Sequence, residues 1–177
     1  MREGVLDTNN LTLQGDNNLF KIVSTGSTRD NLNMTFTAKM DLSLLSVFLP
    51  FATDLRGRLS ANANIFGTSQ SPQVQGSTFI EKALLKIKGF PHAFEDLNAD
   101  ILLTPKAINI NAVKAILGGG AVTGDGKVLI AGGGNIPVDV KGQFSNINVN
   151  IPEGYKTKGS GNVRIKGAVV WRWCRVV

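Results

Sequence analysis

The chain is poor in the residues that usually build redox, metal and catalytic centres. It contains one cysteine, Cys174, and one histidine, His92. A single cysteine excludes an internal disulfide. A single histidine without nearby cysteines does not make the ligand set of a zinc site. We therefore expect His92 to be an ordinary loop residue and expect neither a metal nor a cofactor.

Long apolar runs are also missing. The longest uncharged apolar stretch, residues 42–53, is shorter than the roughly 20 helical residues needed to span a bilayer. The first residues lack the apolar segment of a signal peptide. The chain begins abruptly at a strand-like pattern, so residues 1–177 are predicted to be a single β-rich domain from a longer protein rather than a cytosolic protein.

Sequence patterns typical of enzymes and nucleic-acid binders are absent. The glycine clusters at Gly118 and Gly132 do not have the spacing of a phosphate-binding loop. Glu95 and Asp96 are adjacent, so a regular strand would point them to opposite faces rather than pair them as acid and base. The 19 Lys and Arg residues, net charge +6, are scattered and have few aromatic neighbours, which argues against nucleic acid. We expect no enzymatic activity, although a hydrolase with distant catalytic residues stays an alternative.

What the chain has is glycine, 20 residues, and strict alternation of apolar and polar side chains. Residues 58–66 show the pattern most clearly: Leu59 and Ile65 fall on one face, Asn62 and Asn64 on the other. A period of two predicts a strand with one dry and one wet face. The same unit recurs, predicting about ten strands, with further strands around residues 11–13, 20–22, 32–40, 74–88, 97–103, 108–112, 127–131, 136–141, 147–151 and 163–165.

Two local signals interrupt the strand pattern. Asp41 is a good N-cap, and apolar residues then recur at helical spacing, so a short helix is predicted over residues 41–49, ended by Pro50. We interpret it as a plug for one end of the apolar face. A membrane-surface helix is the alternative, weakened by the lack of Lys and Arg on its polar side. Asp125-Gly126 predicts a two-residue hairpin turn.

No helices alternate with the strands, so the sheet is predicted to be mainly antiparallel. One short helix cannot cover the dry face of ten strands. The sheet could fold as a sandwich, close as a barrel, or stay open as a trough. The inward residues are mostly aliphatic, which suits a fluid apolar ligand, but this pattern alone does not exclude a packed core.

Several glycine-bounded motifs occur in a characteristic order. These are Leu55-x-Gly57-x-Leu59-x-Ala61, Ile65-x-Gly67-Thr68, Pro72-x-Val74-x-Gly76, Phe94-x-Asp96-Leu97-x-Ala99-x-Ile101, Ala115-Ile116-Leu117-Gly118-Gly119-Gly120, Gly124-x-Gly126, Ile147-x-Val149, Pro152-Glu153 and Gly159-x-Gly161, with Gly167 behind them. Together they resemble the C-terminal domain of TamB, in the wider AsmA-like group, over about residues 41–167. Residues 168–177 do not resemble the strand that the family would continue with and are interpreted as a non-native or clipped tail.

The resemblance implies an all-β fold: a curved, mainly antiparallel sheet forming a U-shaped, taco-like hydrophobic groove. It implies a periplasmic segment of a diderm bacterium's envelope protein, held in the inner membrane by an anchor absent from this chain, with a TamA-like outer-membrane barrel as partner. The implied role is to shield phospholipid acyl chains in transport between the two membranes. The alternative is an assembly factor for outer-membrane proteins that acts by β-augmentation.

The predicted lipid-lining residues are the alternating aliphatic side chains of the dry face. An ordinary core role is the competing interpretation of the same residues. They are Leu59, Ala63, Ile65, Leu85, Ile87, Ile101, Leu103, Ile108, Ile110, Val138, Val140, Ile147, Val149 and Ile151.

Overall fold

A computed structural model describes residues 10–15, 18–25, 31–130, 135–150 and 156–170, with backbone only at positions 135, 149, 150, 156, 169 and 170. Ten strands form one antiparallel sheet in sequence order, without closing into a barrel within the described residues. This confirms the predicted all-β, antiparallel fold. The strands are β1 (Asn10–Gly15), β2 (Asn18–Ser24), β3 (Leu32–Asp41), β4 (Ala52–Thr68), β5 (Ser71–Ile87), β6 (Ala93–Thr104), β7 (Ala107–Leu117), β8 (Gly120–Leu129), β9 (Asn135–Asn150) and β10 (Lys156–Val170).

The predicted short helix is present between β3 and β4, as a 3-10 helix at Leu42–Phe48. Asp41 caps it: its Oδ1 accepts a hydrogen bond from the Ser43 backbone N–H at 2.8 Å. Hydrogen bonding from the Ser43 side chain, together with this backbone bond, favours the charged carboxylate, so the pKa of Asp41 lies below its ordinary value. Leu42 is buried against Leu55 and Ala83, which fixes the helix over one end of β4 and β5.

Buried apolar volume is small for a chain of this length. Among the described residues, ten hydrophobic side chains are buried and six of them are alanines; the others are Leu42, Leu55, Leu117 and Ile147. A packed sandwich would bury many bulky side chains completely. The described sheet is therefore a single layer, held mainly by strand pairing and covered only at one end by the helix.

Bulges in the strands keep the apolar side chains of neighbouring strands on the same face of the sheet. Register shifts occur where Gly57 of β4 lies against β5 and where β5 pairs with β6 around Lys82 and Asp96. Lys82 and Asp96 have positive φ angles of 49° and 45°, and Asn146 of β9 has 56°. Each extra residue reverses the alternation. The apolar side chains on both sides of a bulge therefore remain on the same face.

Asn98 ties the bulges of β5 and β6 together. Its Oδ1 accepts a hydrogen bond from the Lys82 backbone N–H at 3.1 Å. Its Nδ2 donates to the backbone oxygen of Asp96 at 2.7 Å and to the Asp96 carboxylate at 3.2 Å. One side chain thus satisfies the irregular backbone of two neighbouring strands.

The predicted hairpin at Asp125-Gly126 is wrong. Both residues lie inside β8, where Gly126 is opposite Val140 of β9, and the chain turns instead at Gly118-Gly119, with φ angles of 54° and 78°. A Cβ atom at Gly126 would lie 2.8 Å from the Val140 side chain. The glycine is explained by this close approach rather than by a turn.

Other sequence assignments need adjustment at their boundaries. The alternating segments at residues 136–141 and 147–151 belong to one strand, β9, up to Asn150. Residues 168–170, the first of the predicted tail, continue β10 opposite β9. Gly132, Ile151 and the remaining tail, residues 171–177, lie outside the described residues.

Replacing Gly57 with alanine is expected to destabilise the sheet strongly. Gly57 has a φ of +126°, and a Cβ atom there would lie 2.6 Å from the Ala83 backbone. Strained φ costs about 1 kcal/mol and overpacking about 1–3 kcal/mol more. Urea unfolding should show a loss of about 2–4 kcal/mol. Gly89→Ala is the control, because φ is +77° but space is open; an equal loss in both variants would contradict the steric explanation.

Replacing Asn98 with alanine is expected to loosen the paired bulges. The Lys82 N–H would lose its partner, at a cost of about 1–2 kcal/mol, and its amide hydrogen should exchange faster. Hydrogen exchange followed by NMR, together with urea unfolding, measures both effects. Asn109→Ala in β7 is the matched control, since the structure gives the Asn109 side chain no hydrogen bond. Unchanged exchange at Lys82 in the Asn98 variant would refute this role.

Candidate functional site: the apolar face of the sheet

One face of the sheet carries continuous rows of apolar side chains, which we call the apolar face. Residues directly opposite each other in antiparallel strands share a face. One row joins Leu103, Ile108, Val128 and Val138 across β6 to β9. A second row runs across β4 to β7 through Leu59, Ile80, Ala99 and Val113.

The predicted lining residues can be placed against these rows. Twelve of the fourteen fall on the apolar face by strand register: Leu59, Ala63, Ile65, Leu85, Ile87, Ile101, Leu103, Ile108, Ile110, Val138, Val140 and Ile147. Val149 pairs with Thr157, but its side chain lies outside the described part of the structure, as does the whole of Ile151. The structure thus brings the predicted set onto one surface without testing what that surface contacts.

Most side chains of this surface are partly exposed. Ten of the twelve side chains are half-buried, and only Ala63 and Ile147 are buried. Within the described residues, no second sheet lies over the apolar face, and the helix packs over one end of β4 and β5. The face is therefore both the inner packing surface of a thin sheet and an extended apolar surface open to a ligand.

Several residues of the apolar face escaped the sequence prediction. Phe94, Leu117, Val122 and Phe144 lie on it through pairing with neighbouring strands. A strict period of two fails across a bulge, which is why Phe144 and Ile147 share a face despite an odd spacing. Gly161 of β10, which lies opposite Phe144, was the one hint in the sequence. A Cβ atom at Gly161 would lie only 2.9 Å from the Cζ atom of Phe144, so the ring needs a glycine there.

The helix borders one end of the apolar face. Between the helix and β1 to β3 lies an open pocket of about 610 Å³, whose apolar lining includes Leu13, Phe20, Met40, Leu44 and Phe48. Phe20 packs edge-to-face on Phe36 at 5.2 Å between ring centroids. Val47 and Phe48 are 84% and 77% exposed. The helix therefore covers only part of this end of the apolar face. Part of the helix's own apolar surface stays exposed.

The opposite side, which we call the polar face, carries asparagine, threonine and charged residues. Thr35 Oγ1 donates a hydrogen bond to the Asn64 side chain at 3.2 Å across β3 and β4. Arg164 donates from Nε and Nη2 to the two Asp139 carboxylate oxygens, at 2.9 and 2.7 Å. These bonds hold the pKa of Asp139 below its ordinary value and raise that of Arg164. The polar groups stabilise pairing on the outer side of the sheet.

The described residues contain no cluster of His, Cys, Asp and Glu side chains that could hold a metal ion. None of their helices has the length and apolar character to cross a membrane. His92 lies in the loop before β6, as predicted, with its ring 6.4 Å from Phe90. The described residues thus present an apolar face on one side of the sheet and a polar, charged face on the other.

Comparison with models of protein families gives a match to part of the chain. The model of the TamB C-terminal domain family matches residues 109–170, which run from β7 to the end of β10. No curated protein and no solved structure matches the chain. The motifs before residue 109 rest on the sequence resemblance alone. This match confirms, over residues 109–170, the resemblance to the TamB C-terminal domain drawn from the sequence.

Proposed function

We propose that this chain is a non-enzymatic segment of a periplasmic envelope protein of diderm bacteria that shields phospholipid acyl chains between the inner and outer membranes. The observation that carries the proposal is the uncovered apolar face, on which ten of the twelve placed side chains are only half-buried. A soluble protein rarely leaves so continuous an apolar surface without a ligand or partner for it.

The size of the face suits this role. Ten strands spaced about 4.8 Å apart make a sheet roughly 43 Å across. An acyl chain filling half of a bilayer core of about 30 Å extends only about 15 Å. Burying a chain of ~16 carbons removes a penalty on the order of 12 kcal/mol. A lipid could therefore move across the strands without exposing its acyl chain to water.

We further propose that the sheet curves around the lipid as a U-shaped groove. Glycines on the apolar face support this. Gly124 of β8 lies directly opposite Gly142 of β9, and a Cβ atom at Gly76 of β5 would lie 2.6 Å from the Ala63 Cα of β4. Glycines without side chains on the inner face let a sheet bend sharply.

The remaining partners follow from the family. We propose an inner-membrane anchor outside this chain and a TamA-like barrel at the outer membrane. The match of residues 109–170 to the TamB C-terminal domain supports this arrangement.

Charges placed on the apolar face are expected to abolish lipid binding. Ile108 and Val138 lie in one row with Val128 between them. In Ile108→Asp/Val138→Asp, an acyl chain would have to be buried against two carboxylates, which is strongly unfavourable. Lipid extraction and native mass spectrometry of the purified chain should find bound phospholipid in the unmodified protein and at least about tenfold less in the variant.

The matched control places the same charges on the polar face. Asn109→Asp/Gln143→Asp, on the same two strands, should retain bound lipid, and circular dichroism should show that both variants keep their strands. Equal lipid in the two variants, or none in the unmodified chain, would exclude the groove as a lipid site.

Outer-membrane protein assembly by β-augmentation is the second candidate function. The sheet is open, and within the described residues the outer edge of β10 pairs with no further strand. An unpaired edge offers a row of backbone donors and acceptors to an incoming strand. Its charged side chains, Lys158, Arg164 and Lys166, would discourage uncontrolled pairing.

A proline scan of residues 162–166 distinguishes the two functions. Alternate residues of β10 point their N–H away from β9, and proline there should leave the fold intact. If the edge receives a client strand, these variants should lose crosslinking to an unfolded outer-membrane protein by about tenfold while keeping bound lipid. The other positions, whose N–H groups pair with β9, serve as folding controls. Unchanged crosslinking in the folded variants would count against β-augmentation at this edge.

A further inference from the structure

Charge is distributed unevenly along the sheet. Strands β1 to β6 carry six cationic and six acidic side chains, whereas β7 to β10 carry seven cationic and two acidic ones, a net charge of +5. By register, six of the cationic residues lie on the polar face. We call this set the basic surface: Lys114, Lys127, Lys141, Lys158, Arg164 and Lys166.

Folding accounts for only part of the basic surface. Lys141 lies between Asp125 of β8 and Arg164 of β10 in the register, and the like charges of Lys141 and Arg164 destabilise their strand pair. Asp139 lies between Lys127 and Lys166 in the register, but both of its oxygens already accept hydrogen bonds from Arg164. Within the described residues, the lysines of the basic surface form no ion pair. They are therefore available to an external anion.

An exposed apolar pair adjoins these charges. Leu129, which ends β8 on the polar face, is 39% exposed, and Ile130 after it is 54% exposed. The Ile130 backbone N–H donates to the Lys106 backbone oxygen at 2.9 Å, which places the pair beside a further lysine. Apolar side chains flanked by lysines are typical of surfaces that lie in a membrane interface, where each group finds its preferred environment.

We propose that the basic surface, with Leu129 and Ile130, docks on the headgroup region of an anionic phospholipid membrane. Five of its six cations are lysines, flexible point charges that suit a fluid layer of phosphates, and its single arginine is already paired. Protein–protein interfaces are enriched in arginine and aromatic residues and depleted of lysine, and the polar face of β7 to β10 has no described aromatic side chain. This surface lies opposite the proposed lipid groove and does not depend on it.

Sedimentation of the full chain with vesicles tests this docking. The chain should bind vesicles of phosphatidylcholine and phosphatidylglycerol, should bind pure phosphatidylcholine far more weakly, and should be released near 1 M salt, where charges are screened beyond about 3 Å. Failure to bind the anionic vesicles would overturn the proposal. So would binding to poly-glutamate without binding to vesicles, which would indicate an acidic protein partner.

Two charge variants separate a docking surface from net charge. Lys127→Gln/Lys141→Gln/Lys166→Gln removes three lysines of the basic surface, each contributing about 1 kcal/mol at an anionic membrane, so affinity should fall by on the order of 100-fold. The matched control, Lys21→Gln/Lys39→Gln/Lys86→Gln, removes three lysines from β2, β3 and β5. Its affinity for anionic vesicles should fall by less than about threefold. Equal losses of affinity in the two variants would show that only the net charge of the chain matters, which would overturn the proposal.

Two further variants locate the apolar contact. Leu129→Ser/Ile130→Ser should weaken vesicle binding by about tenfold, whereas Val47→Ser/Phe48→Ser in the helix should not change it. The reverse result would assign membrane contact to the helix. Ile108→Asp/Val138→Asp should lose bound lipid yet keep vesicle binding, so failure of the groove and failure of the docking surface are distinguishable.

Discussion

Continuity of the apolar face is the constraint on which the rest of the structure depends. A single-layer sheet has no second layer to hide a strand whose alternation falls out of phase. Register shifts around Gly57, Lys82, Asp96 and Asn146 keep the apolar residues of neighbouring strands on one side. These irregularities have local support, as when Asn98 satisfies the displaced backbone of β5 and β6. Removing them would turn apolar side chains to the polar face and break the continuous apolar rows.

The shallow burial of this sheet has a direct functional meaning. Side chains such as Leu103 and Ile108 gain only part of their transfer free energy from contacts within the sheet, because none of the described residues forms a layer over them. Part of the apolar surface thus stays in water, and a bound acyl chain would cover it. Ligand and fold would then stabilise each other, since anything that binds only the folded state shifts the equilibrium towards it. The same residues can serve as core and as site in this architecture.

Much of the fold follows from short-range patterns in the sequence. Alternation predicted the strands, and Asp41 with the helical spacing behind it predicted the helix, because both signals act within a few residues. Where the prediction failed, the cause lay between strands. Asp125-Gly126 has the sequence of a hairpin turn, but Gly126 is placed by its close contact with Val140. Phe144 was missed because the bulge at Asn146 changes the period, and a bulge depends on pairing that a single strand does not reveal.

In β7 to β10, one face of the sheet is apolar and the other is polar and basic. Both faces form from the same strands because apolar and polar residues alternate along each strand. Val138 and Val140 point to the apolar face while Asp139 and Lys141, their neighbours in the chain, point to the polar face. The proposed lipid-shielding surface and the proposed membrane-docking surface are therefore separated only by the thickness of one sheet. Docking through the polar face would hold the apolar face close to a bilayer without burying it there. Such an arrangement would let a lipid leave or enter the groove at its edges while the groove itself stays free.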